Sequence, residues 1–158
     1  MIIMAIEGVL AGGDDLMSAA PTRWAKALYG GMRSQHHVVV LTKAEQDFAR
    51  LWLKREHLAD VSRVSVYNSP IMTWEQWKVD QVRGTLAEGW EVFFYVDTDP
   101  EVLAQVGSLG VCTLGVSYPT IPVGWKDVAT PRSWSDVVLE SDRAHLSPSY
   151  GASDVGPR

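Results

Sequence analysis

The sequence begins with an apolar stretch, Met1-Ile2-Ile3-Met4-Ala5-Ile6-Glu7-Gly8-Val9-Leu10. A short apolar run that ends at a glycine is typical of a buried strand that opens into a turn. In open α/β sheets, ligands bind at the carboxyl ends of the strands. The residues just past Met4, above all Ala5 and Glu7, are therefore the first candidates for a functional site.

Strand-like and helix-like segments alternate along the rest of the chain. We predict further strands at residues 37–41, 63–67, 91–96 and 111–116, and helices at residues 22–29, 43–55, 73–88 and 100–106. Capping boxes at residues 42–45 and 73–76 begin two of these helices, and glycines end the helices at residues 22–29 and 73–88. Strands separated by helices indicate a parallel sheet that is covered on both faces. The sequence thus predicts a three-layer α/β fold with a five-stranded, mainly parallel sheet.

The domain organisation follows from length and local composition. A chain of 158 residues is most simply one domain. We assign residues 1–140 to this domain, with a last helix at residues 133–140. Residues 141–158 are rich in Ser, Pro and Gly and are predicted to form a flexible tail.

Composition excludes several classes of function. The net charge is −5 and no block of Lys and Arg stands out, so no nucleic-acid partner is expected. No apolar segment approaches the roughly 20 residues that a membrane span needs. A single cysteine, Cys112, permits neither an internal disulfide nor a cysteine-based zinc cluster, which suits a reducing cytoplasm. We therefore expect a cytoplasmic protein with no membrane association.

Polar side chains follow three of the predicted strands. Glu7 follows the first strand, Thr42 the second, and Asp97 and Asp99 the fourth, while Lys78 lies in the first turns of the helix before the fourth strand. In a parallel sheet these positions share one edge. Carboxylates hold a cation through oxygen ligands, and Lys and Thr side chains contact phosphate oxygens. The pattern predicts a site for a magnesium-bound phosphate, with Glu7, Asp97 and Asp99 as metal ligands.

In these segments the chain resembles the haloacid dehalogenase-like (HAD) superfamily over about residues 1–117. The first ten residues are similar to the family's first motif, an apolar strand that ends Asp-x-Asp-Gly-(Thr/Val)-(Leu/Val). Residues 38–42, which end at Thr42, resemble the second motif, Lys78 the motif-three lysine, and residues 92–101 the acidic fourth motif. The resemblance implies a Rossmann-like sheet with strand order 5-4-1-2-3, which would bring the four motifs together.

The departures from the family pattern bear on function. In the family, the first Asp of motif one attacks phosphorus and the second acts as acid and base. Ala5 stands at the nucleophile position, and its methyl group can neither attack nor bind magnesium. Glu7 keeps a carboxylate at the acid/base position on a longer side chain, and Thr98 replaces a second acidic residue that Asp99 could partly supply. Loss of a covalent nucleophile normally lowers the rate by several orders of magnitude.

Each candidate residue also has a purely structural interpretation. Thr42 suits a helix N-cap, and Asp97 and Asp99 suit an N-cap and a first-turn carboxylate. Glu7 is equally suited to a solvated loop, and Lys78 alone would suit an exposed helix face. The spacing leaves both interpretations open at every one of these positions.

Two functions are therefore carried forward. The first is a non-catalytic HAD-like protein, similar to small bacterial or phage members, that binds a protein partner or a phosphorylated ligand. Ala5, gaps too short for a lid domain and seven tryptophans favour it. The second is a magnesium-dependent phosphatase or nucleotidase in which Glu7, Asp97 or Asp99 activates water. The sequence leaves the oligomeric state open.

Overall fold

The computed structural model describes residues 1–13 and 15–116, nearly all of one compact unit, Met1–Val116. The predicted boundary at residue 140, the helix at 133–140 and the tail at 141–158 lie outside these residues. The strands are β1 (Ile2–Ala5), β2 (Val38–Thr42), β3 (Arg63–Val66), β4 (Phe94–Asp97) and β5 (Cys112–Gly115). The helices are α1 (Ala25–Arg33), α2 (Gln46–Arg55), α3 (Trp74–Ala87) and α4 (Pro100–Ser108). None of these helices is long and apolar enough to cross a membrane.

The five strands form one parallel sheet in the order β3-β2-β1-β4-β5. This order confirms the expected Rossmann-like arrangement, with β1 at the centre. Met4 of β1 is in register with Val40 of β2 and Val96 of β4, and every residue of β1 and β2 is buried. The carboxyl ends of β1, β2 and β4 therefore meet at the same edge of the sheet.

Two apolar clusters cover the two faces of the sheet. Ile2 and Met4 contribute to the cluster that includes residues of α1 and α2, whereas Ile3 contributes to the cluster that includes residues of α3 and α4. Successive side chains of a strand point to opposite faces, so a central strand needs apolar residues at every position. The continuous apolar character of residues 1–6 is thus explained by two-sided burial in a three-layer fold.

Helix α3 forms as its sequence predicts. The Thr73 hydroxyl accepts a hydrogen bond from the Gln76 N–H, and the Gln76 side chain accepts one from the Thr73 N–H. Just beyond the other end, Gly89 has a φ of +84°, a conformation that favours glycine. The capping box fixes where the helix begins, and so where Lys78 lies, and the glycine follows its end.

Helix α1 differs from the prediction. It begins at Ala25 rather than at residue 22, and it continues through Gly30 and Gly31 to Arg33. Buried Tyr29 donates a hydrogen bond from its hydroxyl to the Ala59 carbonyl, which ties the helix to the core. Tertiary packing thus outweighs the low helix propensity of the two glycines.

The predicted capping box at residues 42–45 is wrong. Thr42 is the last residue of β2, and α2 begins only at Gln46, after an N-cap residue, Glu45, that makes no side-chain cap hydrogen bond. The Thr42 hydroxyl bonds instead to the carboxylate of Glu7. The hydroxyl accepts its local bond from the Ala44 N–H, two positions on, rather than from the third position that a capping box uses.

The apolar face of α2 also differs from the predicted one. Phe48, Leu51 and Trp52 follow one another at the spacing of a single apolar helix face, but Phe48 and Leu51 are 45% and 64% exposed. The residues that α2 does bury are Ala49, Trp52 and Leu53. The helix is therefore rotated relative to the predicted orientation, which leaves two large apolar side chains at the surface.

Candidate functional site

Four predicted site residues lie at the carboxyl edge of the sheet, and all four are buried. Glu7 is 6% exposed, Thr42 0%, Lys78 2% and Asp97 1%. They form two polar groups. Glu7 bonds to Thr42, and Lys78 bonds to Asp97. The interpretations of Glu7 as a solvated loop residue and of Lys78 as an exposed helix residue are therefore wrong.

The first polar group is built around one oxygen of Glu7. Its Oε1 atom accepts a hydrogen bond from the Thr42 hydroxyl at 2.6 Å and another from the Lys43 N–H at 3.0 Å. The Thr42 hydroxyl itself accepts a bond from the Ala44 N–H at 3.0 Å. With that bond received, the Thr42 hydroxyl directs its own proton to Glu7.

The second oxygen of Glu7, Oε2, is buried and has no hydrogen-bond partner among residues 1–13 and 15–116. Buried polar atoms normally have a partner, and an unpaired one costs roughly 1–3 kcal/mol. This atom is therefore the feature of the group that calls for an explanation.

The turn that follows Glu7 holds this side chain in place. Gly8 has a φ of +82°, and its N–H donates to the Ala11 carbonyl at 2.9 Å. A Cβ atom added at Gly8 would lie 2.8 Å from the Thr98 hydroxyl oxygen. The glycine thus permits a tight turn and a close approach between the segments that follow β1 and β4.

The second polar group is built around Asp97, and both of its oxygens are saturated. Oδ2 accepts from the Lys78 ammonium at 2.7 Å and from the Tyr95 hydroxyl at 2.6 Å. Oδ1 accepts from the backbone N–H groups of Thr98 at 2.7 Å and Asp99 at 3.0 Å. Burial raises the pKa of the Tyr95 phenol far above its usual range, and the negative charge of Asp97 raises it further. Tyr95 is therefore a permanent donor to this carboxylate.

Asp99 and Ala5 also stand at positions that resemble the family motifs, and both have structural roles here. The Asp99 carboxylate caps α4, because its Oδ1 atom accepts from the N–H groups of Glu101 at 2.9 Å and Val102 at 3.2 Å. Ala5 is 1% exposed and lies within β1, where it is in register with Leu41. Asp99 is thus the N-cap of α4, the role that the structural interpretation gave to Asp97, and Ala5 contributes only a methyl group.

Three residues of this edge were missed from the sequence. Tyr95 lies two positions before Asp97, so the alternation of a strand places both on one face. Trp74 stacks on Trp77 with ring centroids 5.4 Å apart. The Lys78 and Lys43 ammonium groups lie 5.3 Å and 5.7 Å from the centroid of Trp74, within the range of cation–π contacts. Spacing by two was a usable signal for Tyr95, whereas nothing local marked Trp74 or Lys43.

The fit of a magnesium ion depends on which carboxylate oxygens are available. Both oxygens of Asp97 carry two donors each, one of them the Lys78 ammonium. Between Glu7 and Asp97, only Glu7 Oε2 lacks a partner. Within residues 1–13 and 15–116, no cluster of three or more His, Cys, Asp or Glu side chains is placed to hold a metal ion. As it is bonded here, Asp97 has no oxygen available for a magnesium ion, which binds through carboxylate oxygens.

A surface cleft of about 570 Å³ lies beside the Glu7 group. Its volume is within the range of small-molecule sites. Lys43 connects the Glu7 group to the cleft, because its N–H donates to Glu7 and the residue also lines the cleft. The other lining residues are Asp15, Leu16, Met17, Ala44, Glu45, Phe48, Leu51, Trp52 and Arg55. The exposed faces of Met17, Phe48 and Leu51 give this cleft an apolar rim.

Comparison with known proteins adds information on the fold. No family model matches the sequence, and no curated protein matches it. A chain in a solved structure described as "Structure of the Pnkp1/Rnl/Hen1 RNA repair complex" is similar, with a TM-score of 0.59 and 15% sequence identity. The match covers 76% of this chain and 43% of that chain. At this identity the likeness concerns the fold alone, and it agrees with a Rossmann-like, three-layer α/β domain with a five-stranded parallel sheet.

Proposed function

We propose that this chain is a HAD-like protein that has lost phosphate-ester turnover and acts by binding a protein partner or a phosphorylated ligand. One observation carries the proposal. Ala5 occupies the position where the resemblance implies an attacking aspartate, and the only nearby motif-one carboxylate, Glu7, is bonded to Thr42 and Lys43. A site without a nucleophile retains only positioning and electrostatic effects.

The Asp97 group supports the same conclusion. A catalytic lysine at this edge should contact the transferred phosphoryl group, but the Lys78 ammonium is buried in an ion pair with Asp97. Asp97 also holds Tyr95 and two backbone N–H groups. This set of bonds ties β4, α3 and the start of α4 together, which is a structural role.

The cleft beside Lys43 supports binding as the activity. Exposed apolar side chains are unusual for a helix that covers a sheet, and Phe48 and Leu51 of α2 both line this cleft. Lys43 and Arg55 in its lining are balanced by Asp15 and Glu45, so its charges cancel. A ligand or partner that presents apolar groups suits this surface. The expected cytoplasmic location and bacterial or phage origin belong to the same proposal.

A second function is favoured by the unpaired Glu7 oxygen. A carboxylate oxygen without a donor is a candidate ligand for a cation, and Glu7 together with Asp97 or Asp99 would hold Mg²⁺ if the present bonds rearranged. The ion would polarise a phosphoryl oxygen when bound. Thr42 and Lys78 would then contact phosphate. The protein would be a magnesium-dependent phosphatase or nucleotidase.

A phosphate-release assay separates the two functions. The native protein, Asp97→Asn and Ala5→Asp are incubated with Mg²⁺ and a panel of nucleotides and sugar phosphates. Asp80→Asn, an equal loss of charge on the exposed face of α3, is the matched control. We expect no release by the native protein, and any release only with Ala5→Asp. Turnover by the native protein that Asp97→Asn abolishes and Asp80→Asn leaves intact would establish the hydrolase instead.

A further inference from the structure

We infer that Glu7 is an internal ligand: its carboxylate fills the oxyanion-binding position formed by the Thr42 hydroxyl and the Lys43 N–H. The native chain then binds phosphate at these donors only when Glu7 is displaced. This inference deepens the proposed function and rests on it, because the resemblance is what suggests that the crevice suits phosphate. Of the two ligand classes, it favours a protein partner, because Glu7 already occupies the donors that a free phosphorylated ligand would need.

The geometry at Glu7 Oε1 is that of a bound anion. A hydroxyl at 2.6 Å and a backbone N–H at 3.0 Å converge on a single oxygen. The hydroxyl bond is at the short end of the range for O–H donors, and the backbone bond has the ordinary length of an N–H donor. A phosphate oxygen would need the same two donors in the same arrangement. The donors are thus already satisfied, by a group that belongs to the chain.

The attachment of Glu7 to the sheet makes it a strong competitor. It lies two residues beyond β1, and the turn at Gly8 is packed against Thr98 with no space for a Cβ atom. A tethered ligand competes at an effective concentration of roughly millimolar or more. Phosphate present below that concentration therefore does not displace Glu7.

Charge and occupancy are two separate reasons for excluding phosphate, and they predict different behaviour in variants. Glu7→Ala removes both the charge and the acceptor oxygen. Glu7→Gln removes the charge but keeps an oxygen that can accept from Thr42 and Lys43. Under the inferred occupancy, only Glu7→Ala opens the site.

Titration calorimetry with inorganic phosphate, without Mg²⁺ or substrate, tests the inference. We expect no saturable binding by the native protein or Glu7→Gln, and binding by Glu7→Ala at least about tenfold tighter than any by the native protein. Adding Thr42→Val to Glu7→Ala should abolish it, since the hydroxyl donor is lost. Equal binding by Glu7→Gln and Glu7→Ala, binding by the native protein, or a folded Glu7→Ala that binds nothing would each overturn the inference.

A measurement on the native protein guards against a variant that fails to fold. The amide proton of Lys43, which donates to Glu7, is followed by NMR across the same phosphate titration. A constant chemical shift supports internal occupancy, and a saturable shift overturns it. Neither experiment involves turnover, so its failure is distinguishable from failure of the phosphate-release assay.

Discussion

Replacing Lys78 by Met tests how strongly the Asp97 group holds the crevice together. Met keeps an unbranched aliphatic side chain and removes the ammonium, which lies 2.7 Å from Asp97 Oδ2. The Lys78 side chain is 3% exposed. The Asp97 side chain, 1% exposed, would lose its cationic partner. It would keep three donors, the Tyr95 hydroxyl and the backbone N–H groups of Thr98 and Asp99.

The expected loss of stability follows from burial. Removing one partner of a buried ion pair costs about 3–5 kcal/mol, because the other charge is left uncompensated. Because three donors stay on Asp97, we expect Lys78→Met to lower the free energy of unfolding by about 3 kcal/mol, the lower end of this range. That is a large part of the roughly 5–15 kcal/mol by which domains are stable. The melting temperature should fall by about 10 °C.

The chain offers a matched control on the same helix. Arg83 and Asp80 form an ion pair at 3.4 Å with side chains 61% and 46% exposed. An exposed pair contributes about 0–1 kcal/mol, so Arg83→Met should change the free energy of unfolding by less than about 1 kcal/mol. Urea unfolding followed by far-UV circular dichroism measures both variants. Equal losses for Lys78→Met and Arg83→Met would refute the assignment of a buried, tightly bonded Asp97 group.

Three further outcomes are expected, each measured as the free energy of unfolding. Only the unfolded state ionises Tyr95 above its usual pKa of 10.0, so its contribution is complete below pH 10 and is lost as the pH rises; Tyr95→Phe should flatten that alkaline decline, and an unchanged slope would contradict the account. Thr73→Ala should cost about 1 kcal/mol by removing the α3 cap, and no loss would mean that the cap is not formed in solution. Gly8→Ala should cost about 2 kcal/mol or more, with only part recovered by Thr98→Ala, because the positive φ persists after the contact is relieved; full recovery would argue against backbone strain.

The layout of the fold was predictable because burial on both faces requires an unbroken apolar run in the sequence. A strand such as β1, with neighbours on both edges and helices on both faces, must be apolar at every position, and residues 1–6 all are. The strand order came from the resemblance rather than from the residues, and the sheet confirms it. The end of α1 was not predictable locally, because the helix continues past two glycines while Tyr29 packs in the core and bonds to the Ala59 carbonyl.

The candidate site was predictable in membership but not in bonding. Glu7, Thr42 and Asp97 follow strands that share an edge, so their convergence follows from the topology. Which donor each carboxylate oxygen receives depends on side-chain positions in three dimensions. Thr42 shows this, because the same hydroxyl that fits a capping box in sequence is taken by a glutamate 35 positions away. Tyr95 was hidden because an aromatic residue in an apolar strand has no polar signature until its neighbour is seen.

The most direct test is a crystal structure of the native protein grown with Mg²⁺ and with phosphate at submillimolar concentration. We predict that Glu7 Oε1 stays within hydrogen-bond distance of the Thr42 hydroxyl and the Lys43 N–H, as at 2.6 Å and 3.0 Å here. It also predicts that Lys78 stays paired with Asp97. A magnesium ion and phosphate bound between Asp97 and Thr42, with Glu7 turned away, would contradict it.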